Sequence, residues 1–113
     1  MPTFKQGDVV KVPFPYTDRS TRQYRPALVG SAGALQATHG LLWVLMITSA
    51  ENRGWPGDVG ISNLAAAGLP VPSVIRTAKI ATIEAADATK LGRVSGAPLK
   101  QAMSSVRREL DLP

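Results

Sequence analysis

One run of apolar residues, Leu41-Leu42-Trp43-Val44-Leu45-Met46-Ile47, constrains the fold of this chain more than any other feature. The run is apolar at successive positions instead of alternating with polar residues, which is typical of a strand buried on both faces. It is far too short to cross a bilayer as a helix, which takes about 20 apolar residues. The run therefore predicts a central β-strand, and Thr48 and Ser49 follow where that strand leaves the core.

A second strand is predicted from Pro26 to about Ser31, directly after an arginine. Pro26 has no N–H to donate, so it suits the first position of a strand or an edge. It also restricts the preceding residue, Arg25, to extended backbone. The Arg25 guanidinium is thereby held at the rim of a rigid sheet, where it is suited to a fixed phosphate contact. This strand and the central strand form a predicted hairpin, with residues 30–40 as a turn-rich, mobile tip.

The other segments predict short strands, turns and one terminal helix. Alternating or β-branched residues predict strands at Gly7–Pro13, Asp58–Ile61, Ser73–Ala86 and Leu91–Val94. The last helix is expected to begin at Ser95 as N-cap, with Pro98 in its first turn. Its apolar residues repeat at helical spacing and should cover one end of the sheet; they are Leu99, Ala102, Met103, Val106 and Leu110.

These elements predict one domain over residues 1–113, mainly β with a C-terminal α-helix, in a strongly bent sheet or barrel. A helical turn is expected at Asn63–Leu69, closed by Gly68. We expect the long loop 14–24 to be functional, because loops of that length in small domains often are. Trp43 is predicted to lie in the core.

The charge of the chain predicts a polyanionic partner. Thirteen Lys and Arg residues face eight Asp and Glu residues, a net charge of +5. Three arginines, Arg19, Arg22 and Arg25, lie in one segment together with two aromatic residues, Tyr16 and Tyr24. This combination suits single-stranded nucleic acid, which offers phosphates and unstacked bases. A basic surface that serves only solubility is the alternative.

The residue types that bind metals are scarce in this chain. It has no cysteine and a single histidine, so disulfides, thiolate metal sites and histidine clusters are excluded. We therefore expect no metal and no cofactor. The amino-terminal residues lack the apolar segment of a signal peptide, and no membrane span is predicted, so a soluble cytoplasmic protein is expected.

Several short motifs occur in a characteristic order. They are Gly7-Asp8-Val9-Val10, Arg25-Pro26-Ala27-Leu28-Val29, Ile47-Thr48-Ser49, Ala67-Gly68-Leu69, Pro72-Ser73-Val74-Ile75-Arg76, Lys79-Ile80-Ala81-Thr82-Ile83 and Leu91-Gly92-Arg93-Val94-Ser95. With these motifs the chain resembles the MazF/PemK family of toxins from bacterial toxin–antitoxin pairs. The resemblance implies an SH3-like barrel, a homodimer, and a metal-independent endoribonuclease (mRNA interferase) that acts on single-stranded RNA. It also implies a cognate antitoxin protein that blocks the RNA groove.

The resemblance also implies roles for individual residues. Arg25 and Thr48 match the principal active-site pair of the family, and Ser49 matches a neighbouring position of the RNA groove. Arg76 matches a strand position where some members use a catalytic arginine. Those members carry an aspartate two residues later, which is Ala78 here. The general base therefore remains unassigned, and Arg76 is either a functional residue or an exposed strand residue.

The remaining candidates for RNA contact are aromatic and basic. Trp55 and Tyr16 are predicted to stack on bases, the alternative being that they pack beneath their own loops. Arg19, Arg22 and Lys79 are candidate phosphate contacts. Two other functions are compatible with the same barrel: a non-catalytic nucleic-acid-binding module, and a protein-targeting toxin like the gyrase poisons that share this fold.

Overall fold

The computed structural model describes residues 2–14 and 23–113. In this part of the chain, six strands form one antiparallel sheet in the order β4-β5-β3-β2-β1-β6. The strands are β1 Asp8–Phe14, β2 Gln23–Val29, β3 Leu41–Ser49, β4 Val59–Gly60, β5 Ser73–Glu84 and β6 Thr89–Arg93. The helices are α1 Gly33–His39, α2 Leu64–Ala67 and α3 Ala97–Glu109.

The apolar run predicted to be a central strand is β3, which pairs with β2 on one side and β5 on the other. Its alternate residues enter two separate cores, because successive side chains of a strand point to opposite faces. The inner core comprises Phe4, Val10, Val12, Phe14, Ala27, Val29, Leu42, Val44, Met46, Ile83 and Ala85. The outer core comprises Val9, Leu28, Leu45, Ile47, Val59, Ile61, Ala67, Leu69, Ile75, Val94, Ala102 and Val106.

The two cores explain the architecture. The outer core packs α2 and α3 against one face of the sheet, through Ala67, Ala102 and Val106. The inner core lies on the other face of the sheet. The prediction of a mainly β, strongly bent sheet with a C-terminal helix is confirmed. In the described part of the chain, no helix is long and apolar enough to span a membrane.

The long strand β5 is bent near Ala78. Leu45 lies opposite Ile80, yet the next residue, Met46, lies opposite Arg76. Residues 77–79 are therefore an insertion in the ladder, a bulge that bends the strand. Thr77 of the bulge is buried, where its hydroxyl donates to the Gly57 carbonyl at 3.0 Å.

The predicted loop at residues 30–40 contains a helix instead, α1. Its residues Ala34 to Ala37 are good helix formers, and Gly40 ends the helix in the left-handed conformation with φ +68°. Gln36 ties α1 to the amino-terminal segment, because its amide accepts from the Phe4 N–H and donates to the Pro2 carbonyl. The prediction of a loop is wrong because these contacts, distant in sequence, stabilise a helix that is too short to persist alone.

Two further predictions are wrong. Trp43 is 52% exposed and not in the core, because the outer core that covers Leu45 and Ile47 ends before it reaches Trp43. Ser95 is not the N-cap of α3: Gly96 holds that position without a side-chain hydrogen bond. In the predicted helical stripe, Leu110 lies just beyond the end of α3 and is exposed.

Candidate functional site

Arg25 and Thr48 lie on the adjacent strands β2 and β3. The last backbone pair between these strands is Ala27–Met46, and Pro26, the neighbour of Ala27 in β2, is no longer paired with β3. The same register continued by two residues brings Arg25 opposite Thr48. Since alternate residues share a face, both side chains are on the face of the inner core, beyond its Ala27–Met46 layer. Beyond Ala27, the described residues of β2 are paired with β1 and no longer with β3.

The Arg25 guanidinium has an incomplete set of partners. Its Nη2 donates to Gln23 Oε1 at 3.0 Å, a contact to a neutral amide. Its Nε is buried and has no hydrogen-bond partner among the described residues. Among the described residues, Asp58 forms an ion pair with Arg76, and Asp8 forms ion pairs with Arg93 and Lys90. None of these ion pairs includes Arg25. Arg25 therefore presents a positive charge that this part of the protein does not neutralise.

Thr48 is oriented by a neighbour that the sequence did not suggest. The side-chain amide of Asn52 donates to Thr48 Oγ1 at 3.1 Å. Because the hydroxyl oxygen accepts this bond, the hydroxyl hydrogen of Thr48 can be donated to a further acceptor such as a phosphate oxygen. Ser49 has a local role as well: its Oγ accepts from the Glu51 N–H and so caps the short 3₁₀ turn Ala50–Asn52.

Arg76 is buried, at 7% exposure, and is not an exposed strand residue. Its Nη2 and Nε donate to the two carboxylate oxygens of Asp58, at 2.9 and 3.2 Å. Nη2 also donates to the Asn52 carbonyl at 2.6 Å. The sequence places no aspartate two residues after Arg76, but the fold supplies Asp58, the residue directly before β4. Arg76 is 18 residues from Asp58 and 24 residues from Asn52 in the chain, so the local sequence pattern gave no signal for either contact.

The ion pair shifts the ionisation of both partners. Burial alone would raise the pKa of Asp58, but the hydrogen bonds and charge of Arg76 outweigh it. The backbone N–H groups of Trp55 and Gly54 act in the same direction, so the pKa of Asp58 lies below its ordinary value. Hydrogen bonding to Asp58 raises the pKa of Arg76 in turn. Both groups are charged at neutral pH.

This shift predicts a pH-dependent contribution to stability. An aspartate with a depressed pKa in the folded state stabilises the protein above its unfolded pKa, here near 3.8, and loses that contribution as the pH falls through the folded value. Wild type should therefore exceed Asp58→Asn in free energy of unfolding at about pH 6, and the gap should shrink below about pH 3.8. Urea unfolding of both proteins across this pH range measures the difference in their free energies of unfolding. A difference that does not change with pH would contradict the lowered pKa of Asp58.

Trp55 lies directly on this ion pair. The Arg76 Cζ atom is 4.3 Å from the centroid of the Trp55 ring, and Lys79 Nζ is 5.8 Å from it. Trp55 nevertheless remains 44% exposed. The structure thus brings together Thr48, Arg76, Trp55 and Lys79, with Arg25 on the facing strand. Three other predicted contacts, Tyr16, Arg19 and Arg22, lie outside the described residues.

Metal ligands do not gather at this site. Within residues 2–14 and 23–113, no three His, Asp or Glu side chains are grouped in a way that could hold a metal ion. Asp58 is engaged by Arg76, and Asp8 by Arg93 and Lys90.

Comparison with known proteins identifies the family. The sequence model of PemK-like, MazF-like toxins of type II toxin–antitoxin systems matches residues 5–111. The chain belongs to this family. The family resemblance suggested by the short motifs is thereby confirmed. A comparison with curated protein sequences gave no significant match.

Solved structures of MazF proteins share the fold. MazF from Deinococcus radiodurans (form I) superposes with a TM-score of 0.80 at 21% identity, covering 99% of this chain and 100% of that one. A MazE–MazF structure from the same organism (form II) gives 0.78 at 21%, with both chains fully covered. A mycobacterial endoribonuclease in complex with its cognate antitoxin gives 0.75 at 18%, covering 100% of this chain and 98% of that one. At such identities the likeness establishes the MazF fold.

Proposed function

We propose that this chain is a toxin that cleaves single-stranded RNA without a metal ion. The observation that carries the proposal is the arrangement of Arg25 and Thr48. The proposal is supported by the register of β2 and β3: continued by two residues past the Ala27–Met46 pair, it would set Arg25 and Thr48 at opposing positions on one face of the sheet. The Arg25 charge is not neutralised by a described acid. Membership of the MazF-like toxin family supports the same function.

RNA cleavage of this kind uses the 2′-hydroxyl of the substrate as nucleophile. The 2′ oxygen forms a bond to the adjacent phosphorus, and the bond from phosphorus to the 5′ oxygen breaks. The products are a 2′,3′-cyclic phosphate and a 5′-hydroxyl. The phosphorane transition state carries additional negative charge on its oxygens, so donors directed at those oxygens lower the barrier.

Arg25 and Thr48 divide this task. The guanidinium of Arg25 stabilises the phosphorane, because its donors match phosphate oxygens bidentately. The Thr48 hydroxyl, whose oxygen already accepts from Asn52, donates its hydrogen to the scissile phosphate and fixes its position. Ser49, Lys79 and the basic residues Arg19 and Arg22 contribute to the surrounding RNA groove.

The proposal includes two protein partners. MazF from Deinococcus radiodurans has been solved together with MazE, and the mycobacterial endoribonuclease with its cognate antitoxin. By analogy, this chain forms a homodimer and is inhibited by a cognate antitoxin. Its net charge of +5 suits an acidic inhibitor as well as RNA.

The test combines purified protein with a long single-stranded RNA in the presence of EDTA. We expect cleavage, with 2′,3′-cyclic phosphate and 5′-hydroxyl ends on the fragments. Intact RNA at micromolar protein would contradict the proposal. Binding with a steep salt dependence but without fragments would instead favour a non-catalytic nucleic-acid-binding barrel. Inhibition of gyrase in vitro would favour a protein-targeting toxin.

A further inference from the structure

We propose that Trp55 is a platform for an unpaired nucleobase next to the scissile phosphate, and that Arg76 and Asp58 are positioning residues that hold this platform. The inference rests on the proposed RNA-cleaving function and adds a base subsite to it. It also gives Arg76 a role different from direct contact with the phosphate.

The loop that carries Trp55 is fastened at both of its ends. Asp58 accepts from the backbone N–H of Trp55 at 3.3 Å, and the Trp55 carbonyl accepts from the Asp58 N–H at 3.1 Å. Arg76 then binds the Asp58 carboxylate and the Asn52 carbonyl at once. One buried guanidinium therefore connects the two ends of the segment 52–58 to strand β5.

The end of the loop next to Asp58 is fixed by a second contact. Gly57 has φ +89°, and its carbonyl accepts from the Thr77 hydroxyl at 3.0 Å. A Cβ atom at this position would lie 2.8 Å from Thr77 Oγ1 and 2.9 Å from Ser105 Oγ, so only glycine allows this close approach. The loop is thereby held against both the sheet and α3.

Trp55 is held on this loop in a way that suits stacking. The Arg76 guanidinium lies 4.3 Å from the ring centroid, a cation–π contact that fixes the ring orientation. With 44% of the residue still exposed, ring surface is available to a ligand. Aromatic side chains on a basic surface bind single strands in this manner, because every base has a flat face.

The platform is coupled to the catalytic pair by Asn52. The carbonyl of Asn52 accepts from Arg76, and its side-chain amide donates to Thr48 Oγ1. A base stacked on Trp55 would therefore lie on the same hydrogen-bonded unit that orients the Thr48 hydroxyl. The unit defines where the scissile phosphate sits relative to a neighbouring base.

The charge of Arg76 is not available to the phosphate in this arrangement. Its guanidinium forms a bidentate ion pair with Asp58, which makes the pair formally neutral. Arg25, by contrast, has no such partner in the described part of the chain. We therefore assign phosphate contact to Arg25 and loop positioning to Arg76.

The two tryptophans allow a direct binding test. The variant Trp43→Phe leaves Trp55 as the single tryptophan, and Trp55→Phe leaves Trp43 as a matched control; excitation beyond the tyrosine absorption band selects the tryptophan emission. The probe is a short single-stranded oligonucleotide of random sequence with 2′-deoxyribose sugars, which lacks the nucleophile. We expect a saturable loss of Trp55 emission and no change in Trp43 emission. Binding that leaves Trp55 emission unchanged would overturn the base platform alone, whereas no binding at all would overturn the RNA function as well.

Cleavage kinetics separate stacking from folding. Trp55→Ala should raise KM for single-stranded RNA roughly tenfold, because a base stacked on an aromatic ring contributes to substrate binding. Trp55→Phe should restore most of that loss, because phenylalanine keeps an aromatic face. Equal kinetics for Trp55→Ala and wild type would overturn the platform, while cleavage itself would still support the RNA-cleaving function.

The variant Asp58→Asn distinguishes the two roles of Arg76. If Arg76 positions the loop, this variant should weaken binding of the deoxyoligonucleotide at low salt, although it adds one net positive charge. If Arg76 were a phosphate ligand, freeing its guanidinium would tighten binding and steepen the salt dependence. Tighter binding would therefore overturn the positioning role. Thermal unfolding monitored by near-UV circular dichroism verifies that the variant is folded.

Discussion

Replacing Arg25 by alanine should reduce RNA cleavage by roughly 10³-fold or more, the range found when a donor to a developing phosphoryl or oxyanion charge is removed. The effect should fall on the chemical step, because the guanidinium interacts most strongly with the phosphorane. The fold should survive, since Arg25 is only partly buried and its one side-chain hydrogen bond among the described residues is to Gln23.

Single-turnover cleavage with enzyme in excess measures this loss without contributions from product release. Arg25→Lys should retain part of the activity, because an ammonium keeps the charge but not the bidentate geometry. Arg108→Ala is the matched control: it removes the same charge from an exposed position on α3, where the one side-chain hydrogen bond of Arg108 to another described residue is to Ser104. Cleavage by Arg25→Ala at the wild-type rate would show that the assigned site is wrong.

Replacing Asp8 by alanine should destabilise the protein by about 2–3 kcal/mol, because it breaks a buried charged hydrogen-bond network. Asp8 is 2% exposed, and its carboxylate accepts from the Lys5 N–H and from Arg93 Nη1, both at 2.9 Å. Lys90 Nζ lies 3.5 Å away. Both Lys90 and Arg93 belong to β6, so Asp8 holds this edge strand to β1.

Urea unfolding measures the loss. Asp8→Asn should have an intermediate stability, since the amide retains one acceptor oxygen but no charge. Asp87→Ala, at an exposed position in the 3₁₀ turn Ala85–Asp87, controls for the general effect of removing an acid from a basic protein. An Asp8→Ala variant as stable as Asp87→Ala would contradict the structural role of this network.

The sequence predicts the fold correctly where the chemistry of a residue or a short run restricts the local conformation. The apolar run Leu41–Ile47 could only be a buried strand in a domain of this size, and β3 is central. Pro26 cannot donate a backbone hydrogen bond, and the ladder between β2 and β3 ends beside it. Gly68 was expected to close a helical turn, and it adopts φ +72° after α2. In each case the local chemistry decides the outcome.

Prediction from the sequence fails where contacts between residues far apart in the chain determine the structure. Helix α1 depends on the bonds of Gln36 to the amino-terminal segment, and the exposure of Trp43 depends on where α3 stops covering the sheet. In the candidate site, too, the contacts between residues distant in the chain were not predictable. Arg25 and Thr48 could be proposed from the family resemblance, but Asp58 and Asn52 could not, because they contact Arg76 from positions 18 and 24 residues away in the chain.

The central claim is that Arg25 and Thr48 act on the same phosphate, and a double-mutant cycle tests it most directly. Single-turnover cleavage rates of wild type, Arg25→Lys, Thr48→Val and the double variant give the coupling energy between the two side chains. We predict that the double variant loses clearly less than the product of the two single losses, because groups that act as a unit are not additive. Fully multiplicative losses, or a Thr48→Val variant as fast as wild type, would contradict the claim.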